Sequence, residues 1–180
     1  YQGLDLLLAA LADLRCEGVD FALLVVGDGP MREEWEELAR ELGLRERVRF
    51  TGRVAWEELP PYISGFDLGF SGQVPLGIGK MYHSPLKLYE YLAMGKPVVA
   101  SAYDDARCAI RPGETGYLFE PKHKESLKVA LRRAYAEKQV WSQLGQKARE
   151  IVVEEHSWQA RIHDLIQDVD NILNRYTLNR

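Results

Sequence analysis

One lysine in this sequence stands where a helix would normally carry an acid. In the stretch "HSPLKLYEYLAMGKPVVAS" (83–101), Ser84 is a typical N-cap, Pro85 a typical first helical residue and Gly95 a typical C-terminal stop. Lys87 then falls in the first turn, where the positive end of the helix dipole favours a carboxylate. Because free backbone amides also point outward there, the pattern predicts that Lys87 and these amides bind an anion such as a phosphate.

Glu90 lies three residues after Lys87 and therefore on the same helix face. A carboxylate at this place can accept two hydrogen bonds from a ribose diol, as acidic residues do in doubly wound nucleotide-binding folds. The pair could equally be a solvent-exposed ion pair that stabilises the helix by about 0.2–0.5 kcal/mol. Spacing alone leaves both interpretations open.

The segment "GDGP" (27–30) also has two interpretations. It predicts a tight turn from a strand into a helix, with glycine supplying an unusual backbone conformation and Pro30 starting the helix. Its backbone could in addition line a ligand site, because ligands of open parallel sheets bind beyond the carboxyl ends of the strands. Asp28 alone is no evidence for a catalytic acid or base.

The only long candidate loop is "GQVPLGIGKMYH" (72–83), and a loop of this length in a small domain is typical of a functional segment. Its "GIGK" portion is not a P-loop, since Val74 stands where that motif needs its first glycine. Lys80, Tyr82 and His83 are candidate phosphate or sugar contacts.

Short apolar runs of strand length alternate with helical patterns along most of the 180 residues. This pattern predicts a Rossmann-like α/β domain, in which helices cover both faces of a doubly wound parallel sheet, and then a helical C-terminal tail. Ser157 is predicted to cap the last helix. The predicted strands are 21–27, 48–52, 66–71, 97–101 and 115–121; the predicted later helices include one with a stripe from Leu127 to Ala134, one over about 139–155 and one over 157–180.

Composition excludes several classes of function. The net charge of −4 argues against a broad nucleic-acid surface. Cys16 and Cys108 fit neither a metal site nor a disulfide framework, and the four histidines form no metal motif, so we expect no metal ion. No apolar run reaches the roughly 20 residues of a membrane-spanning helix, and we expect a cytoplasmic protein.

The segments "LLVVGDGP", "VRFTGRV", "SPLKLYEYLAMGKPVVAS", "GETGYLFEP" and "HSW" together carry a family resemblance. In order and spacing they resemble the C-terminal, nucleotide-sugar-binding half of the retaining group 1 (family 4) glycosyltransferases, whose GT-B fold has two facing Rossmann-like domains. The resemblance implies a UDP- or GDP-sugar donor, retention, no cofactor or metal, and an acceptor-binding N-terminal domain outside this chain. Residues 1–180 would then be one donor-binding domain whose first strand is missing, inactive by itself.

The resemblance also implies roles for individual residues. Glu90 matches the second glutamate of the family's E-x7-E motif, which binds the ribose, and the helix start with Lys87 matches the diphosphate contacts. Residues 52–54 match the segment beside the base, and 27–29 border the same cleft. The predicted donor-binding residues are Ser84, Leu86, Lys87, Glu90, Gly27, Asp28, Gly29, Gly52, Arg53 and Val54; no catalytic residue is assigned.

The sequence departs from the family at the sugar-contacting loop. Tyr82 stands where the first glutamate of the motif belongs, and "GIGKMYHS" (77–84) replaces the usual Glu-Gly-Phe-Gly segment. A non-catalytic nucleotide-binding module or degenerate transferase subunit is therefore an alternative. A sugar-nucleotide epimerase is less favoured, because no paired acid and base residues are apparent. For the full-length enzyme, peripheral association with the inner face of a membrane is a further option.

Overall fold

The computed structural model describes residues 3–74 and 85–177, with side chains described up to residue 174. Its strands are β1 (Leu23–Val25), β2 (Val48–Phe50), β3 (Gly69–Ser71), β4 (Val98–Ser101) and β5 (Gly116–Phe119). Its helices are α1 (Leu4–Cys16), α2 (Arg32–Glu41), α3 (Leu59–Ser64), α4 (Leu86–Ala93), α5 (Asp104–Ala109), α6 (Lys124–Ala136), α7 (Trp141–His156) and α8 (Trp158–Thr177), with short 3₁₀ turns at Trp56–Glu58 and Lys138–Val140.

All paired strands in the described ranges are parallel, which confirms the predicted α/β class. They form two sheets instead of one continuous sheet: β1 pairs with β2, and β3, β4 and β5 lie in that order. The register aligns Leu23 with Val48, Gly69 with Val98 and Val98 with Gly116. Each strand is shorter than the apolar run that predicted it, because strand bounds follow the paired residues and apolar character extends beyond them.

Helices cover both faces of the larger sheet, as predicted. All four residues of β4 are buried, and alternate residues of a strand face opposite sides. Val99 packs into a core with leucines of α1 and the buried stripe of α6, whereas Val98 and Ala100 pack into a second core with α4, α5 and α7. Strand β4 is therefore apolar throughout because both of its faces lie against helices.

Several helix boundaries differ from the predictions. Pro85 has ψ 95°, an extended conformation, so α4 begins at Leu86 and the prediction that Pro85 is its first residue is wrong. Helix α2 likewise begins at Arg32 instead of Pro30. The six-residue α5 was not predicted at all. The cap of α8 is confirmed, since Ser157 Oγ accepts a hydrogen bond from the Ala160 amide at 3.2 Å.

Helix α8 carries an apolar stripe that is exposed along its described length. Its large apolar residues are 46–82% exposed; they are Trp158, Ile162, Leu165, Ile166, Val169, Ile172 and Leu173. The helices within the described ranges nevertheless lack the combination of length and apolar character that crossing a bilayer requires.

A glycine pair holds α7 against the end of α4. A Cβ atom added at Gly145 would lie 1.9 Å from the carbonyl oxygen of Gly95. We expect Gly145→Ala to lower the free energy of unfolding by about 1–3 kcal/mol, because the clash outweighs the better helix propensity of alanine. Urea denaturation measures this change. Gly65→Ala is the matched control, since its added Cβ would make an ordinary 3.5 Å contact; equal losses in both variants would contradict the close packing.

Candidate functional site

The two glycine segments predicted to border the nucleotide meet just beyond the carboxyl ends of β1 and β2. The Gly27 amide donates a hydrogen bond to the Gly52 carbonyl oxygen at 3.1 Å. Gly27 has φ 132° and Gly52 has φ 76°, values that side-chain-bearing residues rarely adopt. The structure therefore brings Gly27 and Gly52 into direct contact.

Asp28 has a local role in this turn. Its Oδ1 accepts a hydrogen bond from the Gly29 amide at 2.9 Å, which is a common way for aspartate to fix a turn. The same oxygen lies 3.9 Å from Arg32 Nη1. The tight-turn interpretation of "GDGP" is supported by this geometry, and Asp28, Gly29 and Pro30 are exposed.

Arg32 belongs to this corner of the molecule although the sequence analysis did not single it out. Its Nε donates to Glu36 Oε1 at 2.7 Å, and this hydrogen bond raises the pKa of the guanidinium. A Cβ atom at Gly52 would lie 2.8 Å from Arg32 Nη1, so the arginine occupies the space beside that glycine. The four-residue spacing of Asp28, Arg32 and Glu36, which is typical of ion pairs between neighbouring side chains, is the sequence pattern that could have pointed to Arg32.

Helix α4 starts at the same edge of the fold. It connects β3 to its parallel neighbour β4, so its N-terminus lies beyond the carboxyl ends of those strands. Leu86 is exposed, whereas Lys87 and Glu90 are half-buried. Burial lowers the pKa of Lys87 to about 8, because the charged form loses hydration. Burial and the charge of Glu90 raise the pKa of the neighbouring Tyr91 to about 12.

Lys87 and the 27–29 turn line a single cavity of about 1370 Å³. A cation and a turn of exposed backbone thus face a common space at the edge where doubly wound folds bind ligands. Glu90 is not among the residues that line this cavity. Neither are Leu86, Gly52, Arg53 and Val54.

The predicted loop contacts lie outside the described residues. Lys80, Tyr82, His83 and Ser84 all belong to 75–84, and their roles stay predictions. Within 3–74 and 85–177, no group of three His, Cys, Asp or Glu side chains could hold a metal ion. Both cysteines are exposed free thiols.

Curated relatives of this chain are bacterial sugar transferases. It is 29% identical over 167 residues to a GDP-mannose-dependent α-(1-6)-phosphatidylinositol monomannoside mannosyltransferase of Mycolicibacterium smegmatis, matching 89% of this chain and 42% of the relative. It is 25% identical over 159 residues to the α-D-kanosaminyltransferase of Streptomyces kanamyceticus, matching 88% of this chain and 40% of the relative. The chain therefore spans about two fifths of these relatives.

Solved structures share the fold over nearly the whole chain. Sucrose-phosphate synthase from Thermosynechococcus elongatus is 27% identical with a TM-score of 0.77, and the match covers 97% of this chain and 43% of that one. The C-terminal domain of a group 1 family protein from Francisella tularensis, LpcC, is 21% identical with a TM-score of 0.72, covering 87% and 80%. This second likeness shows the fold alone.

The family assignment is carried by residues 1–151, which match the family described as "Glycosyl transferases group 1". This range runs from α1 into α7 and includes both glycine segments and the start of α4. The chain belongs to the group 1 glycosyl transferases.

Proposed function

We propose that this chain forms the nucleotide-sugar-binding half of a glycosyltransferase. The donor is a UDP- or GDP-sugar, and the acceptor is held by an N-terminal domain of the whole enzyme. One observation carries this proposal: Lys87, at the N-terminus of α4, lines the same cavity as the Gly27–Gly29 turn in a chain of this family. A cation beside exposed backbone at the carboxyl edge of a parallel α/β fold suits a nucleoside diphosphate.

The diphosphate binds at the start of α4 in this proposal. The first-turn amides at Leu86 and Lys87 direct hydrogen bonds at its oxygens, and the Lys87 ammonium supplies the charge. With a pKa of about 8, Lys87 is roughly nine-tenths protonated at pH 7. The bound anion raises that pKa further, since an opposite charge favours the ammonium. The same interactions stabilise the departing diphosphate during sugar transfer without a metal ion.

The nucleoside extends from the diphosphate toward the Gly27–Gly52 contact. Glu90 accepts hydrogen bonds from the two ribose hydroxyls, and the base lies along residues 52–54. Gly52 has φ 76°, a backbone conformation that favours glycine at this turn. Arg32 forms one boundary of this space, beside Gly52.

The names of similar proteins support this class of donor. The Mycolicibacterium relative is named for GDP-mannose, and a structurally similar protein, HepE of Anabaena, has been solved with UDP. Transfer with retention, a cytoplasmic location and peripheral membrane association are proposed for the whole enzyme on the family resemblance alone.

Calorimetric titration with UDP, GDP, ADP and inorganic diphosphate tests the donor site. We expect one nucleotide to bind saturably and more tightly than inorganic diphosphate, because the nucleoside adds contacts. The titration is run on this chain and on a longer chain that includes upstream residues of the same protein. If both are folded and neither binds a nucleotide, the proposed donor site is wrong.

A nucleotide-binding module without catalysis is the second candidate, favoured by Tyr82 in place of the first motif glutamate. Both candidates predict binding, so the titration does not separate them. Incubating the whole protein with the nucleotide-sugar that contains this nucleotide separates them. Release of nucleoside diphosphate supports the transferase, and tight binding without release, with acceptor candidates present, supports the module.

A further inference from the structure

A single residue joins the last two helices that the structure describes. Helix α7 ends at His156, Ser157 is extended with φ −65° and ψ 159°, and α8 begins at Trp158. The helical hydrogen-bond ladder is therefore interrupted at Ser157. Among the described side chains, those of α8 belong to neither hydrophobic core. Side-chain contacts close to Ser157 therefore set the angle between α7 and α8.

The imidazole of His156 lies at this joint and also contacts α4. Its ring centroid is 5.6 Å from that of Tyr89 on α4, and the two ring planes make an angle of 53°. The Tyr89 hydroxyl lies 3.5 Å from Asp105 Oδ1 on α5. His156 Nε2 is shielded from solvent and, within the described residues, has no hydrogen-bond partner of good geometry. A positive charge on this ring would therefore be poorly hydrated.

The contact between His156 and Arg161 determines where the imidazole carries its proton. Arg161 Nη2, on the first turn of α8, lies 3.2 Å from His156 Nδ1. A guanidinium has hydrogen-bond donors and no acceptor, so Nδ1 must accept and the neutral ring carries its proton on Nε2. This hydrogen bond ties the last residue of α7 to the start of α8.

A second proton on His156 would break this contact. The proton would bind Nδ1, the nitrogen that still has a lone pair, and the acceptor would become a donor that faces another donor. It would also bring a positive ring to within 3.2 Å of the Arg161 guanidinium. Burial, and then the charge of Arg161, lower the pKa of His156.

The other polar groups around His156 offset this repulsion only in part. Glu155, which precedes it on α7, already accepts a hydrogen bond from Arg111 Nη2 at 2.6 Å. The groups that raise the pKa of His156 are Glu155, the Cys108 backbone and Asp105, and the pKa nevertheless stays below its usual value of 6.5. The stability that neutral His156 gives the joint is therefore complete above pH 6.5 and decreases as the pH falls below it.

We propose that the α7–α8 joint is a pH-dependent latch, in which protonation of His156 at Nδ1 releases Arg161 and lets α8 change its angle to α7. The proton comes from solvent, and only hydrogen bonds change. The same imidazole packs against Tyr89, the residue before Glu90, so opening of the latch also alters a contact of α4. The inference rests on the contacts of His156 and does not depend on nucleotide binding.

Nuclear magnetic resonance of isotope-labelled histidine tests the state of the ring. We expect His156 to carry its proton on Nε2 at pH 7.5. In Arg161→Gln the titration midpoint of His156 should move to higher pH, because the positive charge is gone and a glutamine amide can either donate or accept. A proton on Nδ1 at pH 7.5, or an unchanged midpoint in Arg161→Gln, would overturn the proposal.

Electron paramagnetic resonance measures the angle between the helices as a distance. Spin labels are attached to Ser142→Cys on α7 and Asp168→Cys on α8, after the two exposed native cysteines, Cys16 and Cys108, have been replaced by serine. We expect one narrow distance between the labels at pH 7.5 and a shifted or broader distribution at pH 5. Circular dichroism at both pH values shows whether the chain stays folded.

Two glutamine variants separate His156 from other titrating groups. His156→Gln should keep the pH 7.5 distance at pH 5, because glutamine can still accept from Arg161 and does not become charged. His163→Gln is the matched control on α8, where the exposed His163 ring contacts Gln167 at 2.8 Å, and it should respond to pH as the parent does.

The proposal is wrong if the distance still changes in His156→Gln, or if it stays constant in the parent while His156 becomes protonated. Loss of the response in His163→Gln would assign it to the wrong histidine. If acid unfolds the parent and His156→Gln alike before the distance changes, the joint does not open by itself, and the latch is again excluded.

Discussion

Replacing Lys87 with methionine should weaken binding of the nucleoside diphosphate about 10- to 100-fold at pH 7, the size expected for one lost hydrogen bond to a charged group. Methionine keeps the length and apolar stem of lysine and removes the charge. Lys96→Met is the matched control, because Lys96 follows the opposite end of the same helix and donates to Ser64 O at 2.7 Å. We expect the control to bind as the parent does. Equal losses in both variants would show that Lys87 has no specific role.

The pH dependence of binding separates a phosphate contact from a structural role of Lys87. Because the pKa of Lys87 in the free protein is about 8, affinity should be nearly constant below pH 7 and fall up to tenfold per pH unit above 8. The diphosphate is already fully ionised there and gains no charge to compensate. Titration between pH 6 and 9.5 measures the slope, which the methionine variant should lack. A parent curve that is flat through pH 9 would contradict the assignment.

Loss of binding at high pH would not reflect unfolding through Lys87. Its pKa is lower in the folded protein than the usual 10.5, so the unfolded chain binds more protons between about pH 8 and 10.5. Stability rises with pH wherever the unfolded state binds more protons. The unfavourable contribution of Lys87 to folding therefore becomes smaller in the range where nucleotide affinity falls, and denaturation curves at pH 7 and 9 separate the two effects.

The apolar pattern of the sequence predicted where strands occur but not how their edges pair. Every predicted strand contains an observed one, because burial on both faces selects apolar runs whatever their partners. The run 21–27 yields only Leu23–Val25, since a strand extends only as far as it has paired residues. Which strands pair with each other depends on contacts between distant segments, and no local pattern encodes them.

The helix and the site residue that the sequence analysis did not predict lack a local sequence pattern. Helix α5 contains charged residues and small buried ones, Ala106 and Ala109, and has too few apolar positions to show a helical period. Arg32 matters because it lies beside Gly52, twenty residues further along the chain, at a contact between two strand ends. Lys87 was predictable because its unusual feature is local: a cation in the first turn of a helix.

Glu90 should account for most of the protein's ability to recognise ribose. We expect removal of both ribose hydroxyls from the nucleotide to weaken binding to the parent chain about 10- to 100-fold, because a carboxylate that accepts two hydrogen bonds loses both. In Glu90→Ala the same removal should change affinity by no more than about twofold, since the acceptor is already absent. Calorimetry with the ribonucleotide and its 2′,3′-dideoxy analogue completes this double-mutant cycle.

The cycle distinguishes a ribose contact from the surface ion pair that the three-residue spacing also allows. If Glu90 only pairs with Lys87, its removal should alter affinity for both nucleotides equally and leave ribose discrimination intact. Glu150→Ala, on α7, is the control for loss of one acidic side chain and should discriminate as the parent does. Coupling between Glu90 and the hydroxyls, with none at Glu150, would place the nucleoside along the first two turns of α4. Its absence would leave Lys87 as an anion site with no nucleoside specificity from this helix.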